Sequence, residues 1–213
     1  GLGDVYKRQL EKTCEELSGI RRKNATVLTQ KLKDALIGLN FLTVEFDIAV
    51  RPGQTITAKG YDDVEFLIST NPGESLKPLS QVASGGELSR IMLAIKTVLA
   101  GRDEIDTLIF DEIDTGISGR TAWKVAEQLS VLSGAHQVIC ITHLPQIAAM
   151  ADVHFVIEKS STDDMTITDI HKVSAEESLA ELARLLGSDA LTEAALSNAK
   201  EMKEQAGMFK ETR

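Results

Sequence analysis

The sequence predicts an α/β fold: a short parallel sheet with flanking helices, preceded by a long helix and a small antiparallel sheet. Three observations predict it. First, Thr107 to Phe110 and Gln137 to Thr142 are apolar runs without alternation, the pattern of strands buried on both faces of a parallel sheet. Second, Arg120 to Leu132 lies between them and carries Ala122, Val125, Ala126 and Leu129 at helical spacing. Strand, helix and strand in that order make a βαβ unit with a right-handed crossover. Third, Leu42, Val44, Phe46, Ile48 and Val50 alternate with Thr43, Glu45 and Asp47, which is the period of a half-buried strand.

The elements follow in order. Gly1 to Gln9 carry no helical pattern and read as a leader foreign to the protein. From Leu10 to Asn40 the chain reads as helix, with Leu28, Leu32, Ala35, Leu36 and Leu39 at helical spacing and no proline. Leu17, Ile20, Asn24 and Leu28 fit the tail of a heptad seam. They fit a single amphipathic helix packed on its domain equally well. Residues 41–213 then form one lobe. Pro52-Gly53 reads as a turn after the first strand, and Val64 to Ile68 as a second strand ended by Asn71-Pro72-Gly73. A helix from Gly85 to Ala100 buries Leu88, Ile91, Met92, Ile95, Val98 and Leu99. Phe155 to Lys159 and Met165 to His171 form a hairpin around Ser160 to Asp164. Two helices, Ala175 to Leu186 and Leu191 to Gln205, close the chain, with Gly187 as the cap between them.

Composition narrows the class. The chain has 213 residues, 43% hydrophobic and 26% charged, as in an ordinary globular protein. Its apolar runs are far too short to span a bilayer. Cys14 and Cys140 are the only cysteines, so no disulfide framework is expected and a reducing compartment fits. The net charge of -9 argues against a broad nucleic-acid-binding face on this segment. Arg21-Arg22-Lys23 reads as a solvated helix face.

The chemistry concentrates in three places. Ser84-Gly85-Gly86-Glu87 opens a helix. Ser-x-x-Glu is a capping box and needs no ligand, yet two glycines in a first helical turn are costly. They permit backbone amides to approach something closely, and bare amides at a helix N-terminus favour phosphate. Asp111 and Glu112 end one strand, and His143 ends the next. Ligands bind beyond the carboxyl ends of parallel strands, so the three converge if the strands are neighbours. There Asp111 suits Mg2+ held through water beside nucleotide phosphates. Glu112 suits orienting or deprotonating a water, and His143 suits contact with a terminal phosphate. His136, Cys140 and His143 have spacings unlike the usual zinc pairs. No Gly-x-x-x-x-Gly-Lys-Ser/Thr loop is present to cradle the remaining phosphates.

These motifs, in this order, resemble the carboxy-terminal half of an ABC-type ATPase head of the SMC-like class. The resemblance runs from about Leu36 to Gln205. It is carried by the stretches from Phe66 to Glu74, Val82 to Arg90, Phe110 to Gly119 and Ile141 to Gln146. It implies that Ser84, Gly85, Gly86 and Glu87 match the signature that meets the terminal phosphate of ATP on the opposite subunit. Asp111 and Glu112 match the Walker B pair, Asp114 the acid of the loop that crosses the dimer interface, and His143 the switch histidine. Ala83 stands where transporters commonly carry Leu, and Glu87 where they carry Gln. That favours the SMC-like branch over a transporter subunit. The resemblance further implies ATP and Mg2+ as cofactors and a homodimer of heads. Residues 10–40 would be the returning arm of a coiled coil, and the work would be double-strand break repair and recombination in the cytoplasm, at the nucleoid. DNA contact would come through other parts of a longer protein, with no membrane involved. The Walker A half, which belongs amino-terminal in this class, is absent here, so the chain on its own is expected to be inactive. An ATP-dependent DNA clamp with incidental turnover is the alternative, and a transporter's nucleotide-binding domain the third reading.

Overall fold

A computed structural model describes residues 2–82, 84–100, 102, 104–162, 165–187 and 192–212. The chain divides into two compact units, residues 1–84 and 85–213.

In the first unit, helix α1 spans Leu2–Gly38. It therefore includes residues 2–9, where the sequence showed no helical pattern. Val5 and Tyr6 are largely exposed there, and a turn that buries no face leaves no periodicity to read. Farther along, Cys14, Ser18, Leu32 and Leu36 are buried. Ile20 is 59% exposed, so within this chain the suggested heptad positions are not one buried seam. The helix ends in a Schellman motif: the Phe41 amide donates to the Leu36 carbonyl and the Asn40 amide to Ile37. Asn40 takes the left-handed conformation, φ 71°.

Strands β1 (Glu45–Thr57) and β2 (Gly60–Ser69) pair antiparallel, and β3 (Lys77–Pro78) adds to β2. Pro52-Gly53 does not turn the chain. The strand runs on through both residues to Thr57, with a register shift between Pro52 and Thr57. β1 is an edge strand, where an absent N–H is tolerated at a bulge. Phe46 and Ile48 face inward opposite Ile68 and Phe66, with the Phe46 and Phe66 rings 5.9 Å apart. An ionic cluster ties α1 to the hairpin. The Ser18 hydroxyl donates to Asp62, and Arg21 Nη1 meets Asp62 Oδ2 at 2.8 Å.

The second unit holds the βαβ element. Strands β4 (Thr107–Phe110) and β5 (Gln137–Cys140) are parallel neighbours, with Phe110 opposite Cys140. Helices α2 (Gly85–Val98) and α3 (Gly119–Leu132) pack on each other. They bury Ile91, Leu93, Ala94, Ile95, Ala122, Val125, Ala126, Leu129 and Leu132. The strands are not covered on both faces as their composition predicts. Leu108 and Phe110 point inward, but Ile109 is 68% exposed and Ile139 and Ile141 are about half exposed. The second apolar face has no cover among the described residues. β6 (Phe155–Thr162) and β7 (Met165–Lys172) form the expected hairpin, longer than its apolar cores. The expected turn residues Asp163 and Asp164 lie outside the described residues.

Three helices complete the unit: α4 (Pro145–Ala149), α5 (Ala175–Leu185) and α6 (Glu193–Glu211). Ala148, Ala149, Leu182, Ala183, Ala199 and Met202 join them, with Trp123 of α3 packed against the cluster. α5 begins with a complete capping box between Ser174 and Glu177. It ends at Gly187, φ +86°. The expected start of the last helix, Leu191, lies outside the described residues, and α6 runs past the expected end at Gln205.

Candidate functional site at the carboxyl edge of the parallel strands

Because β4 and β5 are neighbours in parallel register, the segments leaving them emerge side by side. The Ile141 amide donates to the Phe110 carbonyl at 3.0 Å, the last rung before the two loops begin. Asp111 and Glu112 follow β4 and are exposed, while His143 follows β5 with 71% of its side chain exposed. The three expected residues thus share one sheet edge.

The loop after β4 is tightly wound. Asp111 Oδ1 accepts the Glu112 amide at 2.9 Å. Glu112 has φ 56°, a left-handed conformation that costs a residue with a side chain about 1–3 kcal/mol. The Thr115 amide closes the turn on the Glu112 carbonyl at 3.0 Å. Such strain persists only where the surroundings hold it, and the surroundings are α2. Ser89 Oγ donates to the Asp111 carbonyl at 2.8 Å. The buried Arg90 guanidinium donates to the carbonyls of Ile113 at 3.2 Å and Thr115 at 2.8 Å. Burial pulls Arg90 below its ordinary pKa, with the Glu87 carboxylate opposing.

The two glycines of α2 acquire a packing reason here. A Cβ on Gly86 would stand 2.8 Å from Thr115 Cβ and 2.9 Å from the Glu112 carbonyl oxygen. A Cβ on Gly85 would stand 2.5 Å from Glu112 Oε2. Close approach was expected of these residues, and the loop of this same chain is what approaches. The Glu112 carboxylate lies over the first turn of α2, where the helix dipole favours negative charge. Glu87 is half-buried in that turn. Ser84 is exposed and is the last residue of the first unit. Ala83 lies outside the described residues.

Asp114 departs from its expected place. An acid that reaches across an interface should be exposed, but Asp114 is 3% exposed and bonded within the chain. Its Oδ2 accepts from Thr142 Oγ1 at 2.6 Å and from the His143 amide at 2.8 Å, and pairs with His143 Nδ1 at 2.9 Å. The exposed residues of that loop are its neighbours Thr115, Gly116, Ser118 and Gly119. Sequence reasoning missed Arg90, Thr142 and the inward turn of Asp114. A charged residue on the buried stripe of a helix was the available signal for Arg90.

Below the edge, Cys140 is pushed up to about 12 by burial and by the carboxylates of Asp114 and Asp111. His136 Nδ1 lies 2.7 Å from the Ile105 carbonyl, a structural contact at the foot of β5. Among the described residues no group of three His, Cys, Asp or Glu side chains is arranged to hold a metal.

Comparison with known proteins decides the family. No protein-family model matches the chain. The DNA repair protein RecN of Halalkalibacterium halodurans is 39% identical over 211 residues, 97% of this chain and 37% of that protein. RecN of Bacillus subtilis is 49% identical over 157 residues, 74% of this chain and 27% of its own length. RecN of Treponema pallidum is 54% identical over 143 residues, 67% of this chain and 25% of its own. The chain belongs to the RecN family. It spans only about a third of the length of these relatives or less. Among solved structures, an Smc head domain with a coiled coil and joint from Pyrococcus yayanosii superposes with a TM-score of 0.54 at 20% identity. That match covers 78% of this chain and 30% of the Smc chain, and it shows the fold. No described helix is long and apolar enough to cross a membrane.

Proposed function

We propose that this chain is the carboxy-terminal part of an ATP-hydrolysing SMC-like head that acts in DNA double-strand break repair and recombination. The observation that supports it most is the shared edge: the parallel pairing of β4 and β5 brings Asp111, Glu112 and His143 together, with the glycine-rich start of α2 packed on the same loop.

The roles follow from charge and exposure. Asp111 is an exposed carboxylate with one oxygen anchored by a backbone amide. It is a hard donor suited to an Mg2+ ion that keeps most of its ligands as water and phosphate. The lack of a three-residue metal cluster among the described residues is compatible with an ion held in that way. When bound, Mg2+ neutralises charge on the ATP phosphates. Glu112, exposed and held by its strained backbone, orients or deprotonates the attacking water. His143 contacts the terminal phosphate. Gly85 and Gly86, with Ser84 and Glu87, present the start of α2 to ATP bound on a second head, so two heads close face to face. The exposed loop from Thr115 to Gly119 meets the opposite head, and the buried Asp114 supports that loop from behind.

The half-exposed isoleucines of β4 and β5 support a missing partner. They are the face that an amino-terminal half with the phosphate-binding loop would cover. Acting on DNA places the whole protein in the cytoplasm, at the nucleoid. The test is to combine this chain with an amino-terminal half carrying a Gly-x-x-x-x-Gly-Lys-Ser/Thr loop and follow phosphate release with and without linear DNA. Turnover is expected only in the pair. Robust turnover by the chain alone would refute the half-site reading.

A further inference from the structure

We propose that Asp114 is the positioning residue for His143, and that it fixes both the orientation and the tautomer of that imidazole. Two donors converge on one oxygen of a side chain that is 4% exposed, Thr142 Oγ1 at 2.6 Å and the His143 amide at 2.8 Å, and His143 Nδ1 lies 2.9 Å from the same oxygen as an ion-pair contact. A buried carboxylate is tolerated only when such donors replace its water. The arrangement is therefore mutual: the acid needs the loop after β5, and the loop is shaped by the acid. Thr142 Oγ1 also accepts the Leu144 amide at 3.0 Å. Leu144 directly precedes α4, which carries Pro145 in its first turn. The loops after β4 and β5 are thereby pinned to each other through Asp114.

The chemistry of the pair follows. A carboxylate accepts, so His143 Nδ1 carries the proton, and which nitrogen is protonated is set by the bond the other makes. Nε2 is the nitrogen that Asp114 does not engage, in a side chain that is 71% exposed. The neutral ring presents Nε2 as an acceptor. Only the imidazolium, with Asp114 as its counter-charge, presents a donor there. This deepens the function proposed above and rests on it for the role of the ring, but the coupling of the two residues stands on the geometry alone.

The test uses the complete protein that contains this chain. Magic-angle-spinning 15N spectra of histidine-labelled protein, with His143 assigned by its loss in His143→Gln, report which nitrogen is protonated in the neutral ring. Wild type is expected to show Nδ1–H, and Asp114→Ala the Nε2–H form that free imidazole side chains favour. A wild-type spectrum showing Nε2–H overturns the coupling whatever the kinetics. In turnover, Asp114→Ala is expected to lose about 10- to 100-fold in kcat, as supporting partners of a functional histidine do. The double variant Asp114→Ala/His143→Ala should fall no lower than His143→Ala alone, because both changes remove one device. Independent, multiplying losses would overturn the proposal in favour of a merely structural acid. If Asp114→Ala does not fold, Asp114→Asn keeps the volume and an acceptor oxygen, and the same non-additivity is expected. A His143→Ala protein that turns over like wild type removes the role of His143, and so the reading on which this proposal stands, while leaving the spectrum to decide the coupling.

Discussion

Adding one methyl group to each glycine of α2 separates packing from chemistry. At Gly86 the new Cβ meets Thr115 Cβ at 2.8 Å and the Glu112 carbonyl oxygen at 2.9 Å. Carbon atoms prefer a separation of at least about 3.5 Å, so the methyl is some ~0.7 Å too close. The obstacle is backbone and a branched side chain, and that loop is held by the Arg90 guanidinium and by the 112–115 turn. Overpacking of this kind costs about 1–3 kcal/mol, against a gain of up to ~1 kcal/mol for replacing a helical glycine. Gly86→Ala is therefore expected to destabilise the folded chain by about 1–2 kcal/mol, lowering the melting temperature by roughly 2–8 °C. At Gly85 the methyl meets only Glu112 Oε2, at 2.5 Å. That carboxylate can swing away, so Gly85→Ala should leave stability unchanged or raise it by up to ~1 kcal/mol. It should nonetheless displace the group assigned to the attacking water and slow phosphate release in the paired protein. The assays are thermal melting by circular dichroism and phosphate release on the same samples. Gly86→Ala melting at or above the wild-type temperature would refute the packing argument, as would Gly85→Ala costing more than Gly86→Ala.

Other outcomes follow from the same structure. Arg90→Ala strips two carbonyls of a buried donor and should cost about 1–3 kcal/mol in chemical denaturation; Arg90→Lys should recover only part, since one ammonium does not reproduce the guanidinium fork. The Ser18 hydroxyl, then Arg21, hold Asp62 below its ordinary value of 3.8 against the opposing cost of burial. A depressed carboxylate contributes stability above its unfolded pKa and loses it as pH falls through the folded one. Denaturation midpoints should therefore drop below about pH 4 in wild type and show a shallower fall in Asp62→Asn. Cys140, raised to about 12, should resist alkylation at pH 8 in the folded chain and react once denatured; fast native labelling would contradict its environment. Ser174→Ala removes the cap of α5 and should cost about 1 kcal/mol, read from the shift in denaturation midpoint.

The strongest patterns in the sequence map onto the structure. β4 lies where its apolar run put it, and the alternation holds at the buried Phe46 and Ile48 of β1, whereas Leu42, which continued the pattern, precedes the strand and is 72% exposed. That Asp111, Glu112 and His143 follow neighbouring strands at one edge was legible because parallel strands joined by a crossover helix place their ends together. What was not legible depended on contacts between distant residues. Nothing local distinguishes Pro52-Gly53 in a bulged edge strand from Pro-Gly in a turn. The exposed isoleucines of β4 and β5 read as doubly buried because composition records apolar character and not which face the fold of this chain covers. The glycines of α2 announced a close approach, but only the fold identifies the Glu112–Thr115 loop as the approaching group. Asp114 carries no local mark to tell an acid facing outward from one held by Thr142 and His143.

In the proposed function Glu112, directly after β4, handles the attacking water of a composite ATP site. Glu112→Gln in the complete protein tests it most directly, with phosphate release and retained nucleotide measured together. Turnover is expected to fall by about 10²- to 10⁴-fold, the usual contribution of a general base, while ATP stays bound and the two heads stay together. Turnover within a factor of a few of wild type would contradict it.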